Sequence, residues 1–350
     1  MQRAYVLEPG AYLRKTGEHL TLFRDGKSAG EIPLQGLQQL TLIGYTSLSG
    51  AVLDVLIRKR IETVLLSPSG RFRARLMVDE HKHVERRRAQ YLRLSDSETV
   101  LDTARVLVRG KLLNAARFLA LRGNQLDEQE LKGCAARIRA MAGALETARD
   151  LNLLRGAEGH AANLYFAAFP MLIRVPGFIF NGRNRRPPLD PVNALLSFMY
   201  TLLTQEVLTS IKVAGLDPYL GALHAVDYGR PSLACDLVEE WRSFLGDRLV
   251  LTLINRQAVR PDDFIFRTLA NMDGVDERDL RSRRPVEMKP GVCRAFMNAY
   301  EQWMGTRIVW PETGEKVTYR GLIQRQVRVF SAFIQGQAEA YVPFAWSKVN

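Results

Sequence analysis

The chain has 350 residues, 47% of them hydrophobic, which is enough for two domains, and its three distant cysteines fit neither a disulfide framework nor a zinc site. We expect no apolar run that spans a bilayer and find no signal-peptide core, so the chain is expected to be cytoplasmic without a membrane partner. The net charge of +12 favours either simple solubility or a polyanionic partner such as nucleic acid. Residues 151–246 carry eight basic and eight acidic side chains, so the excess positive charge lies in the segments on either side of them.

The first 82 residues predict a β-rich domain. Short runs of β-forming residues alternate with Gly, Pro and Asp-Gly turns. One helix over residues 50–60 interrupts them, with Ser47 or Ser49 as its N-cap and with Val52, Val55 and Leu56 on one face. The predicted strands cover residues 4–7, 11–14, 19–23, 40–44, 63–66 and 71–78.

The pattern becomes helical from about residue 83. Residues 83–95 are expected to be a linker and the start of a helix, and residues 96–350 an all-α-helical catalytic domain. The sequence therefore predicts an α+β protein of two domains. The expected loops of the helical domain are residues 123–125, 170–190 and 271–290.

Three stretches of the sequence contain candidate metal ligands, and the first surrounds Glu158. This glutamate lies between Gly156 and Gly159, where small neighbours allow its carboxylate to approach a metal ion or the backbone closely. The alternative is a glutamate at a helix N-terminus, where it favours the helix dipole. His160 would point away from Glu158 on a helix, so we expect it at the surface.

The second stretch, residues 219–224, ends in His224. A single histidine is more often buried beside a backbone partner than bound to a metal. His224 is therefore a candidate ligand only in combination with acidic neighbours. The nearest such candidate, Asp236, follows it by 12 residues.

The third stretch, residues 230–242, predicts a helix over 233–244 with Ser232 as its N-cap. Its acidic residues and Ser243 share one side of that helix, because positions i, i+3 and i+4 are neighbours. These acids are Asp236, Glu239 and Glu240. One interpretation is an amphipathic helix with a solvated acidic face. The other is a metal site, since carboxylates near a histidine suit a hard cation such as Mg²⁺ or Mn²⁺.

Several arginines are candidate phosphate contacts. Three of them lie within four residues, in a proline-rich loop, and a fourth precedes the acidic stretch. Such arginines can bind phosphates bidentately, or they can simply flank a turn. The candidate DNA-binding residues are Arg183, Arg185, Arg186 and Arg230.

Four sequence motifs follow one another in order. Gly-x-Glu-Gly-x-Ala-Ala-x-x-Tyr-Phe lies at 156–166, Arg-Arg-Pro-Pro-x-Asp-Pro-x-Asn-Ala-Leu-Leu-Ser-Phe-x-Tyr at 185–200, Gly-Leu-Asp-Pro-Tyr-Leu-Gly-x-Leu-His at 215–224, and Arg-Pro-Ser-Leu-Ala-x-Asp-Leu-x-Glu-Glu at 230–240. Together they resemble the family of CRISPR-associated integrases that insert new spacers into a CRISPR array. Residues 246–290 match no motif of that family.

The resemblance implies a β-rich N-terminal domain joined to a larger helical domain, and a metal site built from a glutamate, a histidine and a further acid. Glu158 and His224 match the first two of these catalytic ligands. Glu239 is favoured as the third, with Asp236 as a second acidic ligand or as a residue that supports the site.

The resemblance also implies an activity and partners. The activity would be that of a Mg²⁺- or Mn²⁺-dependent DNA endonuclease and integrase, in which a 3′-hydroxyl attacks the array backbone. The partners would be double-stranded DNA, a second copy of the chain, and a small second adaptation protein with a ferredoxin-like fold. The alternatives are a stand-alone metal-dependent nuclease of DNA repair and a non-catalytic DNA-binding scaffold.

Overall fold

The computed structural model describes residues 2–8, 10–76, 83–184, 187–266, 286–310 and 313–346. The chain divides into two compact units. The first contains Met1–His81, Asn184–Thr201 and Pro261–Asn298, and the second contains Lys82–Arg183, Leu202–Arg260 and Ala299–Asn350. One change of unit therefore coincides with the boundary expected near residue 82. Two later segments rejoin the first unit, which hydrophobic periodicity alone does not reveal.

The N-terminal part of the first unit contains eight strands and one helix. In chain order they are β1 (Gln2–Val6), β2 (Tyr12–Thr16), β3 (His19–Arg24), β4 (Lys27–Pro33), β5 (Leu37–Ile43), β6 (Ser47–Leu48), α1 (Gly50–Arg58), β7 (Glu62–Leu66) and β8 (Phe72–Leu76). One sheet has the order β1-β5-β7-β8, with β8 antiparallel to β7 and the other pairs parallel. The second has the order β4-β3-β2-β6. The β-rich domain predicted from the sequence is thus present, although β4 and β6 were not predicted.

Helix α1 connects the parallel strands β5 and β7. Ser49 caps it by accepting a hydrogen bond from the backbone N–H of Val52. Of the two predicted N-caps, Ser47 and Ser49, the second is therefore correct. Val52, Val55 and Leu56 are buried on its inner face, as the period of 3.6 residues predicts. The helix ends at Arg58, and Arg60 follows in the left-handed region with φ 52°, so the predicted end was two residues late.

The second unit begins with long helices. They are α2 (Val84–Arg93), α3 (Ser97–Leu126), α4 (Gln129–Ala144) and α5 (Leu151–Ala168). The loop predicted at residues 123–125 is wrong, because α3 continues through it. Gly123 serves packing rather than a turn: a Cβ there would lie 2.9 Å from Lys132 Cγ and 3.1 Å from the Lys132 backbone nitrogen on α4.

Further helices and four short strands follow in the described residues. The helices are α6 (Pro191–Val213), α7 (Ser232–Val238), α8 (Arg248–Asn255), α9 (Pro290–Met304) and α10 (Tyr319–Ile334), with a π-helix over Arg242–Asp247. The strands are β9 (Phe264–Phe266), β10 (Val286–Met288), β11 (Arg307–Val309) and β12 (Lys316–Thr318), paired antiparallel as β9-β10 and β11-β12. An all-α-helical region over 96–350 is therefore wrong in detail. These three-residue strands are too short to show a period of two in the sequence.

Helix α6 has the length and apolar composition of a membrane span, contrary to the expectation from the sequence. Its most apolar 18-residue window has a mean hydropathy of 1.2, and 78% of that window is buried inside the protein. A buried core helix gives the same signal, so the helix is weak evidence for a membrane location.

Residues 341–346, here called the C-terminal segment, fix the end of α7 against α3 within the second unit. Asn114 of α3 donates hydrogen bonds to the carbonyl oxygens of Glu240 (3.1 Å) and Phe344 (2.9 Å). Its side-chain oxygen accepts one from the backbone N–H of Trp346 (2.9 Å). Trp241 stacks on Phe344 with 4.5 Å between ring centroids. These contacts hold the residues that follow α7 close to the middle of α3.

Candidate metal centre

The acidic residues of the third stretch lie inside the second unit instead of on a solvated face. Asp236, Glu239 and Glu240 are all buried. Helix α7 ends at Val238, and the following turn leads into the π-helix, so the side chains do not continue along one face of a regular helix. The expectation of an exposed acidic stripe is therefore wrong, and each acid has its own partners.

Asp236 organises the loop that carries His224. Its Oδ2 accepts hydrogen bonds from the backbone N–H groups of Ala222 (2.6 Å) and Leu223 (3.0 Å), and its Oδ1 accepts one from that of His224 (3.0 Å). Gly221 is required beside it, because a Cβ at that position would collide with Oδ2. With both oxygens engaged, the carboxylate of Asp236 supports the loop.

The imidazole of His224 is oriented by the same carboxylate. Its Nδ1 lies 2.7 Å from Asp236 Oδ1. A carboxylate only accepts hydrogen bonds, so Nδ1 donates its proton and Nε2 keeps a lone pair that can bind a metal. The side chain is 18% exposed. The partner of the partly buried ring is thus a carboxylate and not the backbone partner of the cautious interpretation, and Nε2 of the neutral ring can serve as a ligand.

Glu158 and Glu239 converge on one ammonium group. Glu158 lies in the middle of α5, so the alternative of a glutamate at a helix N-terminus is wrong. Lys111 of α3 forms an ion pair with Glu158 Oε1, and its Nζ lies 2.8 Å from Glu239 Oε2. Arg242 Nε lies 3.0 Å from the same Glu239 oxygen. Two carboxylates from two elements therefore surround one positive charge.

The electrostatics of this cluster keep Glu239 and Lys111 charged. Burial raises the pKa of Glu239, but the positive charges of Arg242 and Lys111 outweigh it and lower that pKa to about 2. Burial lowers the pKa of Lys111, but Glu239 and Glu158 together raise it above its ordinary value.

Glu240 has a structural role. Tyr341 donates a hydrogen bond to its Oε1, and the backbone N–H of Phe344 donates one to Oε2 at 2.7 Å. Burial raises the pKa of Glu240 to about 8, so the carboxyl is largely protonated at neutral pH. Glu240 therefore anchors the C-terminal segment and is not suited to bind a cation.

The other residues predicted from the sequence lie outside this cluster or outside the described residues. His160 is exposed, as expected. Ser232 does not cap α7; its hydroxyl accepts a hydrogen bond from the N–H of Gly221 at 2.9 Å. Arg230 is half-buried in the loop between His224 and α7, and Arg183 is also half-buried. Arg185 and Arg186 lie outside the described residues.

Three cationic residues of the site were not predicted from the sequence. They are Lys111, Arg155 and Arg242. Arg155 of α5 donates hydrogen bonds from Nε (3.0 Å) and from a terminal nitrogen (2.8 Å) to the carbonyl oxygen of Leu223. These bonds fix the loop of His224 in addition to those of Asp236. Lys111 is separated from Glu158 by 47 residues, so no local pattern could have revealed the pair.

The donor set fits a hard divalent cation. In the ranges that the structure describes, no three His, Cys, Asp or Glu side chains lie close enough to hold a metal ion on their own. Instead, Lys111 provides a positive charge at the point where two carboxylates converge. Glu239 Oε2 is buried there. It forms ion pairs with Lys111 and Arg242, but the geometry of these contacts is not that of a hydrogen bond. Oxygen donors beside an imidazole Nε2 are the ligands that Mg²⁺ and Mn²⁺ take in proteins.

The fold belongs to a known structural class with N-terminal strands and a helical C-terminal region. A CAS1 protein from Thermotoga maritima superposes with a TM-score of 0.78 over 96% of this chain and 97% of that one, at 23% identity. A casposase bound to integration product gives a TM-score of 0.82 over 100% of this chain and 95% of the other, at 21% identity. These likenesses establish the mixed α and β fold.

The sequence comparisons identify the family. The model of the family described as CRISPR associated protein Cas1 matches residues 4–272. A CRISPR-associated endonuclease Cas1 from Chlorobaculum tepidum is 35% identical over 348 residues, which cover 98% of this chain and 97% of that protein. Another from Thermus thermophilus is 36% identical and covers 97% of this chain and 96% of its own. The chain belongs to the Cas1 family of CRISPR-associated endonucleases, and the resemblance inferred from its motifs is confirmed.

Proposed function

We propose that this protein is a divalent-metal-dependent DNA endonuclease and integrase that inserts short DNA fragments as new spacers into a CRISPR array. The observation that carries the proposal is the convergence of Glu158 and Glu239 on one positive charge, in the same unit as the oriented imidazole of His224. Such a donor set is suited to phosphodiester chemistry, in which negative charge develops on phosphate oxygens.

The candidate ligands are Glu158, Glu239 and Nε2 of His224. A bound Mg²⁺ or Mn²⁺ would polarise the scissile phosphate and stabilise the leaving oxygen. Asp236 contributes indirectly, because it fixes the tautomer and the orientation of His224. The geometry favours Glu239 over Asp236 as the third ligand, since both oxygens of Asp236 already accept hydrogen bonds.

The chemistry proposed is the same in integration and in cleavage, and only the nucleophile differs. In integration the 3′-hydroxyl of a short DNA fragment attacks a phosphodiester of the array, and in cleavage water attacks. Relatives that match nearly the whole chain bear the name of endonuclease. The casposase with a similar fold is bound to integration product, which supports strand transfer by a related architecture.

The proposed partners are double-stranded DNA, a second copy of the chain and a small second adaptation protein with a ferredoxin-like fold. Net charge of +12 favours DNA, and Arg183, Arg185, Arg186 and Arg230 are the proposed phosphate contacts. A solved Cas6-RT-Cas1–Cas2 complex contains a region of similar fold, which supports a Cas2-like partner. We propose that pairing of two copies uses the β-rich domain, and that the protein works in the cytoplasm.

Strand-transfer and cleavage assays on array DNA test this function. E158A, H224A and E239A should each lower both activities by about 100-fold or more, because residues that only support a metal site already cost 10–100-fold when changed. H160A is the matched control, since His160 is exposed on the same helix as Glu158 and should retain activity.

The outcomes separate the alternatives. Cleavage without strand transfer into array DNA would favour a stand-alone nuclease. Full activity of all three variants with intact folding would reject the metal site and leave a DNA-binding scaffold.

A further inference from the structure

Lys111 is a part of the site that the proposed chemistry does not use. It lies on α3, with its side chain 20% exposed, and its ammonium contacts carboxylates from two other parts of the second unit. Glu158 comes from α5, and Glu239 follows the end of α7. Lys111 therefore joins both candidate carboxylate ligands.

The charges of the cluster balance without a metal. Glu158 and Glu239 carry two negative charges, and Lys111 and Arg242 carry two positive ones. Two carboxylates held close together repel each other strongly when their surroundings are partly buried. Lys111 offsets this repulsion for both carboxylates, whereas Arg242 contacts Glu239.

A divalent cation at the same carboxylates changes this balance. The ammonium and the cation would both need Glu158 Oε1 and Glu239 Oε2, and like charges in a partly buried site repel. Lys111 can leave, because its charge is a compact group on a flexible stem, whereas the planar guanidinium of Arg242 is more rigidly placed. The ammonium is thus the natural competitor for the metal position.

We propose that Lys111 is a positioning residue with two effects: it holds Glu158 and Glu239 together in the metal-free protein, and it sets the metal affinity by competing for their oxygens. This inference rests on the proposed function, since it assumes the same three ligands. It assigns to Lys111 no contact with the reacting atoms.

Mn²⁺ titration of the full-length, DNA-free protein measures the competition. K111M has a side chain of similar length without the charge, and it should bind Mn²⁺ about 10-fold more tightly, because a competing positive charge is removed. K111R keeps the charge and should bind no more tightly than wild type. K132M is the control. Lys132 of α4 pairs with the exposed Asp127 and packs beside Gly123 of α3, and Gly123 lies roughly 18 Å along α3 from Lys111.

Thermal melting in EDTA measures the positioning effect separately. K111M should lower the Tm of wild type but not that of the E158Q/E239Q variant, in which the repelling charges are gone. K111R keeps the positive charge and should retain most of the wild-type Tm. If K111M does not fold, K111Q serves in its place, since its amide can hydrogen-bond a carboxylate without carrying a charge.

Each outcome decides one part of the proposal. Equal or weaker Mn²⁺ binding by K111M would overturn the competition, and an equal loss of Tm in both backgrounds would overturn the positioning role. Absence of Mn²⁺ binding by wild type would instead reject the proposed metal-dependent function and the competition with it. The melting experiment would still decide whether Lys111 holds the two carboxylates together.

Discussion

The second unit contains two buried clusters of carboxylates and cations, and they differ in how firmly their charges are held. In one, Glu206 Oε1 receives hydrogen bonds from Arg320 Nε (3.2 Å), from a terminal nitrogen of Arg320 (3.1 Å) and from the hydroxyl of Tyr300 (2.9 Å). Arg320 also donates to Glu301 at 2.7 Å. In the other, the ammonium of Lys111 pairs with both Glu158 and Glu239, and Arg242 Nε lies 3.0 Å from Glu239 Oε2.

The difference lies between a cluster held by a guanidinium and a cluster that shares an ammonium. Burial lowers the pKa of Arg320, but Glu206 and Glu301 raise it far above its ordinary value, so the guanidinium stays charged and paired. A planar guanidinium matches carboxylates through several directed bonds, while an ammonium acts as a point charge on a flexible stem. Glu206 is therefore fixed, whereas the proposed function requires Glu158 and Glu239 to exchange an ammonium for a metal ion.

The largest effect is expected where the fixed cluster is broken. R320M leaves the buried carboxylate of Glu206 without its cation, and this should lower the free energy of unfolding by about 3–5 kcal/mol. Urea denaturation measures the loss. R328M is the matched control on the same helix, because Arg328 is exposed, and it should change stability by less than about 0.5 kcal/mol. A similar small change for R320M would mean that the cluster is not structural.

Glu240 should make stability depend on pH. Its folded-state pKa of about 8 lies above its ordinary value of 4.5, so its contribution is fully present below about pH 4.5 and is lost as the pH rises through about 8. E240Q removes this titration. From pH 5 to 8, wild type should therefore lose about 3–4 kcal/mol more of its unfolding free energy than E240Q. Parallel profiles in urea denaturation would contradict a protonated Glu240.

Asp236 should affect metal binding without being a ligand. D236N keeps the size of the side chain but removes the negative charge that orients the imidazole of His224. Mn²⁺ affinity should fall by about 10–100-fold, as for other residues that support metal ligands. Calorimetry on protein whose circular dichroism is unchanged measures the effect. Abolished binding would instead make Asp236 a direct ligand, and unchanged affinity would show that His224 needs no orienting partner.

The smallest expected effect concerns DNA binding by Arg230. R230Q removes one proposed phosphate contact, so the slope of log affinity against log salt should become shallower by about 0.9. The measurement is fluorescence anisotropy with duplex DNA over a series of salt concentrations. R328M again provides an exposed arginine for comparison. An unchanged slope for R230Q would remove Arg230 from the DNA contacts.

Local sequence patterns predicted the parts of the fold that depend on neighbouring residues. The buried face of α1, with Val52, Val55 and Leu56, follows from helical periodicity, and Ser49 follows from the preference of N-caps. The prediction failed at Gly123, because glycine signals both a turn and close helix packing. It also missed β4, whose residues are mostly exposed and include Gly30 and Pro33.

The candidate site shows the same limit. Glu158, His224 and Glu239 were inferred from motifs, and the structure now gives the two glutamates a common cation. Lys111 could not be inferred, because its partners lie 47 and 128 residues away in the chain. A solvated acidic face remained one of two interpretations of the acidic stretch, because periodicity does not reveal the end of α7 at Val238 or the partners that arrive from distant segments.

The most direct test of the metal centre is Mn²⁺ binding by the full-length protein, measured calorimetrically for wild type, E158Q, H224Q and E239Q, with H160Q as the control. Wild type and H160Q should bind Mn²⁺ alike, and each of the other three variants should bind it about 100-fold more weakly or not at all. Wild-type affinity in all three ligand variants would contradict the assignment of Glu158, His224 and Glu239 as a metal site.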